Sequence, residues 1–188
     1  CCLKLAGQQQ LADPLLAIGQ STGAALIMEA LLAERLQHSH SLQNIILLGP
    51  LLRPRHWSRS RILFSLSKLF LPSTPRKFSE NSHDAEFLAF LESKDELQSR
   101  ILPRDWVQAM IDYIDRFEEA PSQKQRLHII QGKGDGTVEW ETNIPKILEK
   151  FSGSEVHWIE EAGHHLVNES TPYRERVFEL IDEIIGSH

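Results

Sequence analysis

Near the start of the chain, a short apolar run, a serine between two glycines and a long apolar-periodic stretch follow one another. The apolar run covers residues 15–18, the sequence GQSTG covers residues 19–23, and helical spacing of apolar residues begins at Ala24. This order predicts a strand, a sharp turn that the two glycines permit, and a helix. Such a turn lifts the Ser21 hydroxyl off the end of the strand, above the positive end of the helix dipole. Ser21 is therefore a candidate nucleophile.

Two later apolar runs each end in a segment that carries a further candidate. Residues 127–130 precede QGKGDGTVEW, which holds Asp135 in a glycine-rich turn, and residues 156–159 precede EEAGHHLVNES, which contains His164. A serine hydroxyl is a weak nucleophile near neutral pH, so an imidazole must take its proton and a carboxylate must orient that imidazole. The order serine, aspartate, histidine, each directly after a predicted strand, meets this requirement.

These motifs are specific enough to suggest a family. Residues 14–188 resemble the C-terminal two-thirds of an α/β-hydrolase, and AGHHLVNES together with QGKGDGTVEW is similar to the serine aminopeptidase and monoglyceride lipase-like (lysophospholipase-like) branch. In that branch the histidine is followed by a leucine two residues on and by a glutamate five residues on. His164, Leu166 and Glu169 fit this spacing.

The resemblance implies a role for each candidate. Ser21 is the nucleophile, Asp135 the orienting acid and His164, rather than its neighbour His165, the base. The backbone N–H of Thr22 is one donor of the oxyanion hole, and the other donor belongs to a loop after an early strand.

Alternating strands and helices predict an α/β fold with a doubly wound, mostly parallel sheet that helices cover on both faces. The expected elements are helix 1–11, strand 14–19, helix 22–37, strand 44–48, strand 127–131, helix 142–150, strand 155–159 and helix 172–185. Three or four strands should precede the elbow in such a sheet. We therefore expect the N-terminal part of the fold, with the second oxyanion donor, to lie in about 80 to 120 further residues before Cys1.

The resemblance also implies three segments. Residues 1–50 form hydrolase core with the nucleophile elbow, residues 51–120 a helical cap insertion, and residues 121–188 core with the acid and histidine loops. Residues 51–79 hold seven Lys or Arg residues and no acid, in a chain of net charge −6. Apolar residues recur there at helical spacing, namely Ile62, Leu63, Leu66, Leu69 and Phe70. Two interpretations remain open: a lid that meets acyl chains, anionic substrates or a membrane surface, or a helix that packs on the body with solvated or paired cations.

Composition excludes some classes of protein. A chain of 188 residues supports one substantial core, and its net charge of −6 argues against non-specific nucleic-acid binding. No apolar run is long enough to predict a membrane span. The two cysteines are adjacent, at Cys1 and Cys2, so no disulfide framework is indicated and a cytoplasmic location is expected.

The sequence predicts no cofactor and no metal site. His38 and His40 stand in a polar segment without metal-ligand spacing, and His128 and His157 lie at the starts of predicted strands, where a structural role is expected.

The predicted function is a serine hydrolase that cleaves carboxylic esters, lipid-like or other acyl esters, through an acyl-enzyme. A peptidase or amidase with the same triad is an alternative, because both reactions pass through the same kind of tetrahedral oxyanion. A non-catalytic hydrolase-like binding domain is the second alternative. The expected partner is a small-molecule ester, with membrane or acyl-chain contact through the cap, and the sequence does not indicate an oligomeric state.

Overall fold

The computed structural model describes residues 15–33, 42–67, 73–75 and 79–186. Its strands, numbered in chain order, are β1 (Leu15–Gln20), β2 (Leu42–Leu48), β3 (Ser73–Pro75), β4 (Ile101–Pro103), β5 (His128–Gly132) and β6 (Glu155–Ile159). Its helices are α1 (Thr22–Leu32), α2 (Trp57–Ser67), α3 (Ala85–Ser93), α4 (Arg104–Glu119), α5 (Trp140–Lys150) and α6 (Thr171–Gly186), with a short 3₁₀ turn over Leu166–Asn168.

The main sheet is parallel over the part of the chain that the structure describes. Its strands lie in the order β1-β2-β5-β6, while β3 and β4 form a separate antiparallel pair. Helix α1 connects β1 to β2, and α5 connects β5 to β6, as parallel neighbours require. Because these strands run in one direction, the turns after β1, β5 and β6 open at the same edge of the sheet.

Strand β2 shows why the strands of this sheet are continuous apolar runs in the sequence. Ile45 and Leu47 belong to a larger core with residues of α1, α4 and α5, whereas Ile46 and Leu48 belong to a second core with residues of α6. Side chains alternate between the two faces of a strand, so a strand covered on both faces is apolar throughout. The prediction of a doubly wound α/β sheet is confirmed.

The predicted elements agree closely with the structure where it describes them. Strand β6 has the predicted bounds, whereas α1 ends at Leu32 and not at residue 37. Strand β2 begins at Leu42, two residues earlier than predicted. The predicted helix 1–11 and the residues Cys1, Cys2, His38 and His40 lie outside the described residues.

Between β2 and β5, the region that the sequence predicts to be an insertion contains α2, the β3–β4 pair and α3, and it ends in α4. Helix α4 contributes Met110, Tyr113 and Phe117 to the larger core, together with residues of α1 and the sheet. Their helical recurrence in the sequence is typical of such packing. None of the described helices is both long and apolar enough to cross a lipid bilayer.

The basic segment of this region pairs with acidic residues of two helices. Three of its arginines form ion pairs with residues of α4 and α5: Arg53 with Glu118, Arg55 with Glu141 and Arg61 with Asp115. Ile62 and Leu63 of the predicted apolar stripe are 62% and 65% exposed, whereas Phe64 packs against the larger core. Arg59 is exposed, and five further basic and apolar positions fall outside the described residues, namely Lys68, Leu69, Phe70, Arg76 and Lys77.

Candidate active site

One imidazole connects the predicted serine and the predicted acid. Ser21 lies in the turn between β1 and α1, Asp135 follows β5, and His164 follows β6. The Nε2 atom of His164 lies 2.8 Å from the Ser21 Oγ, and its Nδ1 atom lies 2.8 Å from the Asp135 Oδ2. Both distances are those of good hydrogen bonds. The structure therefore brings all three residues together in the expected order.

The turn at Ser21 holds a conformation that is unusual for a residue with a side chain. Its φ is 52° and its ψ is −111°, a combination that has to be stabilised by the surrounding structure. The Ser21 N–H donates to the Leu48 carbonyl at 2.9 Å, and the Ser21 carbonyl accepts from Ala25 at 3.1 Å and from Leu51 at 3.3 Å. These bonds tie the elbow to the end of β2 and to the first turn of α1.

The two glycines of the elbow are not equally required. A Cβ atom at Gly19 would lie 2.7 Å from the Gly23 carbonyl carbon and 2.7 Å from the Ile27 side chain, so only glycine fits there. A Cβ atom at Gly23 would meet nothing within 4 Å. The sequence interpretation that both glycines permit the turn is correct only for Gly19, because the strand and helix approach each other closely at that residue.

Asp135 is buried and its carboxylate is fully engaged. Its Oδ1 accepts the N–H groups of Thr137 at 2.8 Å and Val138 at 3.2 Å, while Gln131 Nε2 lies 3.2 Å from Oδ2. Burial alone would raise the pKa of Asp135, but the hydrogen bond and charge of His164 and the two backbone N–H groups lower it overall. The carboxylate therefore remains charged and able to accept the His164 Nδ1–H.

The histidine loop is held by Glu169, a fully buried carboxyl group. It accepts the N–H of Gly163 at 2.6 Å and that of Ser170 at 3.0 Å. It also accepts the His83 N–H at 2.8 Å, and His83 Nδ1 lies 3.1 Å from it. The spacing motif singled out Glu169, but nothing in the sequence indicated that its partner would be His83 of the insertion.

His165 occupies a different environment from His164. Its Nδ1 lies 3.3 Å from the Gln20 Nε2, and its ring packs edge-on against His164 and Phe87 at centroid distances of 5.6 and 5.2 Å. Its backbone N–H donates to the Asn81 carbonyl at 3.0 Å. The side chain that contacts Ser21 is that of His164, in agreement with the spacing motif.

A cavity of about 550 Å³ opens beside the serine. Ser21 and Thr22 lie at its wall, and most of the remaining lining comes from apolar residues of the insertion and α4, among them Leu51, Trp57, Leu91, Leu102, Val107 and Met110. Thr22 is the first residue of α1, so its N–H has no acceptor within the helix. An N–H group in this position can stabilise negative charge that develops next to Ser21.

Among the described residues, no group of three metal-ligating side chains adjoins Ser21. In the part of the chain that the structure describes, the one such group comprises His128, Glu155 and His157, at the opposite end of β5 and β6.

Comparison with known proteins identifies the family to which the chain belongs. A family model described as serine aminopeptidase, S33, matches residues 1–171. No curated protein matches the sequence significantly. Among solved structures, the monoacylglycerol lipase of Paleococcus ferrophilus is similar, with a TM-score of 0.74 and 13% identity over 98% of this chain and 74% of that one.

Two further solved structures have the same fold. A soluble variant of monoglyceride lipase from Saccharomyces cerevisiae, in complex with a substrate analog, has a TM-score of 0.75 and 16% identity over 96% of this chain. This chain spans 63% of the yeast protein, less than two thirds of its length. A thermostable carboxyl esterase from Bacillus coagulans, in complex with glycerol, has a TM-score of 0.68 and 14% identity over 97% of this chain and 67% of that one. Since the family model covers most of the sequence, the chain belongs to the serine aminopeptidase S33 family of α/β-hydrolases.

Proposed function

We propose that the protein is a serine hydrolase that cleaves carboxylic esters through an acyl-enzyme. The observation that carries this proposal is the continuous hydrogen-bonded chain from Ser21 through His164 to Asp135, with both contacts at 2.8 Å. Ser21 also lies at the wall of a cavity that can hold a substrate. A nucleophile, a base and an orienting acid in these positions constitute the minimum machinery for acyl transfer.

In the first half of the reaction, the Ser21 Oγ attacks the ester carbonyl carbon while its proton passes to the His164 Nε2. Asp135 stabilises the resulting imidazolium through Nδ1. The carbonyl oxygen becomes an oxyanion, to which the Thr22 N–H donates. His164 then protonates the leaving alcohol, the ester C–O bond breaks, and an acyl group remains on Ser21.

In the second half, water replaces the alcohol. His164 takes a proton from water, the hydroxide oxygen attacks the acyl carbon, and a second oxyanion forms in the same position. Its collapse breaks the bond to the Ser21 Oγ, which recovers its proton from the imidazolium. The products are a carboxylic acid and the unmodified enzyme.

The cavity favours a substrate with an apolar acyl part. Its volume of about 550 Å³ is within the usual range for small-molecule sites, and Leu51, Leu91 and Met110 lie among its apolar lining residues. The similar solved structures are described as monoacylglycerol and monoglyceride lipases and as a carboxyl esterase. These points support lipid-like or other acyl esters over peptides, although the chemistry of the triad also suits an amide.

We also propose that residues 51–120 act as a cap whose inner side contacts the acyl chain, between core segments 1–50 and 121–188. Within this cap, α4 packs on the core while Val107 and Met110 line the cavity. Three of the cap's arginines form ion pairs, two with acids of α4 within the cap and one with Glu141 of α5 in the core. The charge of these three arginines is thereby accounted for without a membrane, so acyl-chain contact is the role we favour.

A fluorophosphonate probe tests the proposed function directly. We expect it to label the purified protein at Ser21, as located by peptide mass mapping, and to label neither Ser21→Ala nor His164→Ala at a comparable rate. Turnover of matched nitrophenyl esters and nitroanilides then separates esterase from amidase activity. A folded protein that the probe does not label would instead support the non-catalytic alternative.

Filling the cavity should select against long acyl chains. We expect Val107→Trp to lower kcat/KM for a long-chain nitrophenyl ester by on the order of tenfold or more, while acetate hydrolysis changes little, because the added ring occupies acyl space. Ala109→Trp is the matched control, since it adds the same ring to an exposed position of the same helix. Equal losses for both esters would contradict acyl binding in this cavity.

A further inference from the structure

Three metal-ligating side chains meet at the end of the sheet opposite Ser21. His128 begins β5, and Glu155 and His157 lie on β6. One ligand atom from each lies within 4.8 Å of the other two. We propose that these residues form a binding site for a divalent transition-metal ion of the zinc type, separate from the hydrolytic site.

The sheet register explains why the three side chains share one face. His128 is paired with Glu155, and Ile130 is paired with His157. Paired residues on neighbouring strands lie on the same face, and residues two apart on one strand also share a face. The sequence alone does not reveal this cluster, because Glu155 and His157 lie 27 and 29 positions after His128 and the strand register is needed to align them.

The distances suit tetrahedral coordination. The His128 Nδ1 lies 3.5 Å from the His157 Nε2 and 3.8 Å from the Glu155 Oε2. With zinc bonds of about 2.0–2.2 Å, neighbouring ligand atoms of a tetrahedron are about 3.3–3.6 Å apart. The third pair, Glu155 and His157, lies within 4.8 Å, and side-chain rotation would have to shorten this distance for all three atoms to bind one ion. The Glu155 side chain is 51% exposed, which leaves access for a water molecule as the fourth ligand.

Arg126 orients the carboxylate without blocking it. Its guanidinium lies 2.5 Å from the Glu155 Oε1, while the other oxygen, Oε2, is the one nearest His128. Interactions of this kind around a metal site fix the direction of a ligand. The two imidazoles are stacked, with centroids 5.7 Å apart, and at 3.5 Å between their nitrogens they form at most a weak hydrogen bond. A metal ion would replace this weak contact with two coordinate bonds.

The site would join the two strands that lead to the acid and the base. Strand β5 precedes Asp135, β6 precedes His164, and within the described sheet β6 pairs with β5 alone. An ion bound at their amino-terminal ends would stabilise the folded state by mass action. Its effect should therefore be measured as stability and as binding, independently of hydrolysis.

Zinc titration of the tag-free, chelator-treated protein is the first test. We expect calorimetry to show one equivalent of Zn²⁺ bound, and Tm to rise by about 5–10 °C at a hundredfold excess over Kd. Co²⁺ should bind at the same site, and the complex should show the intense visible absorption of tetrahedral cobalt. No binding, or no change in Tm at millimolar zinc, would overturn the proposal and leave a stacked histidine pair.

Two ligand variants and one matched control locate the site. We expect His157→Ala and Glu155→Gln each to weaken zinc binding by more than about tenfold. Glu155→Gln is the safer variant because residue 155 is exposed. Glu160→Gln is the matched control: it removes an exposed carboxylate that also pairs with a cation, but just beyond the other end of β6, and it should retain tight binding. Unchanged affinity in Glu155→Gln, or an equal loss in Glu160→Gln, would show that the Glu155 carboxylate is not a ligand.

Discussion

Alanine at Ser21 or at His164 is expected to lower ester turnover by on the order of 10⁴-fold or more, and the double variant should lose little beyond either single one. The reason is the shared proton: the Ser21 Oγ and the His164 Nε2 are 2.8 Å apart, and neither can act without the other. Residual activity would come from substrate binding and from the Thr22 N–H, which both variants retain. Steady-state kinetics on a short-chain nitrophenyl ester measure this effect.

His165 provides the matched control for this experiment. Its imidazole is adjacent in sequence but lies next to Gln20 and Phe87, so His165→Ala should keep most of the activity. Independent, multiplicative losses for Ser21 and His164 would contradict a triad. An inactive His165→Ala beside an active His164→Ala would mean that the base had been assigned to the wrong histidine.

The sequence was sufficient to predict which three residues come together, because each candidate lies directly after a strand. Ser21, Asp135 and His164 each follow a strand of one parallel sheet, and a parallel sheet brings such positions to a single edge. Because both faces of these strands are buried, the strands are apolar throughout. Each strand could therefore be recognised from its own sequence, without knowing which strands lie beside it. The fold and the chain order of the three candidate residues thus followed from patterns within short segments.

Contacts between distant segments could not be predicted in this way. The hydrogen bond from the His83 N–H to Glu169 joins residues 86 positions apart. Neither a histidine at position 83 nor a glutamate at position 169 predicts that the two residues meet. The exposure of Ile62 and Leu63 on α2 likewise depends on how that helix sits on the body. The grouping of His128 with His157 depends on strand register, which is a property of the folded sheet.

Among the contacts between distant segments, those of Glu169 should contribute most to the stability of the folded protein. Its buried carboxyl group accepts three backbone N–H groups, those of Gly163, His83 and Ser170, and it also contacts the His83 ring. These donors belong to the histidine loop and to the segment of the insertion beside it. Further bonds join the same two segments, from His165 N–H to Asn81 and from Ser82 Oγ to Asn168. Glu169 is therefore central to the attachment of the insertion to the loop that carries His164.

We expect Glu169→Ala to destabilise the protein by about 3 kcal/mol or more, because it leaves several buried donors without an acceptor. For a domain of this size that corresponds to a fall in Tm of roughly 6–12 °C. We also expect kcat to fall more than KM rises, since Gly163 directly precedes the proposed base, His164, and its displacement disturbs the geometry of that side chain. Thermal unfolding and steady-state kinetics on the same preparation measure the two effects.

Glu160→Ala is the matched control. Glu160 stands nearby, but its side chain is 73% exposed and pairs with Lys133 at the surface, so its loss should cost no more than about 1 kcal/mol. Glu169→Gln keeps the volume and one acceptor oxygen but turns an NH₂ group toward backbone donors, so its Tm should lie between those of Glu169→Ala and the unmodified protein. If Glu169→Ala instead unfolds at the same temperature as Glu160→Ala, water replaces the carboxyl group at no cost and the histidine loop is held by its other bonds.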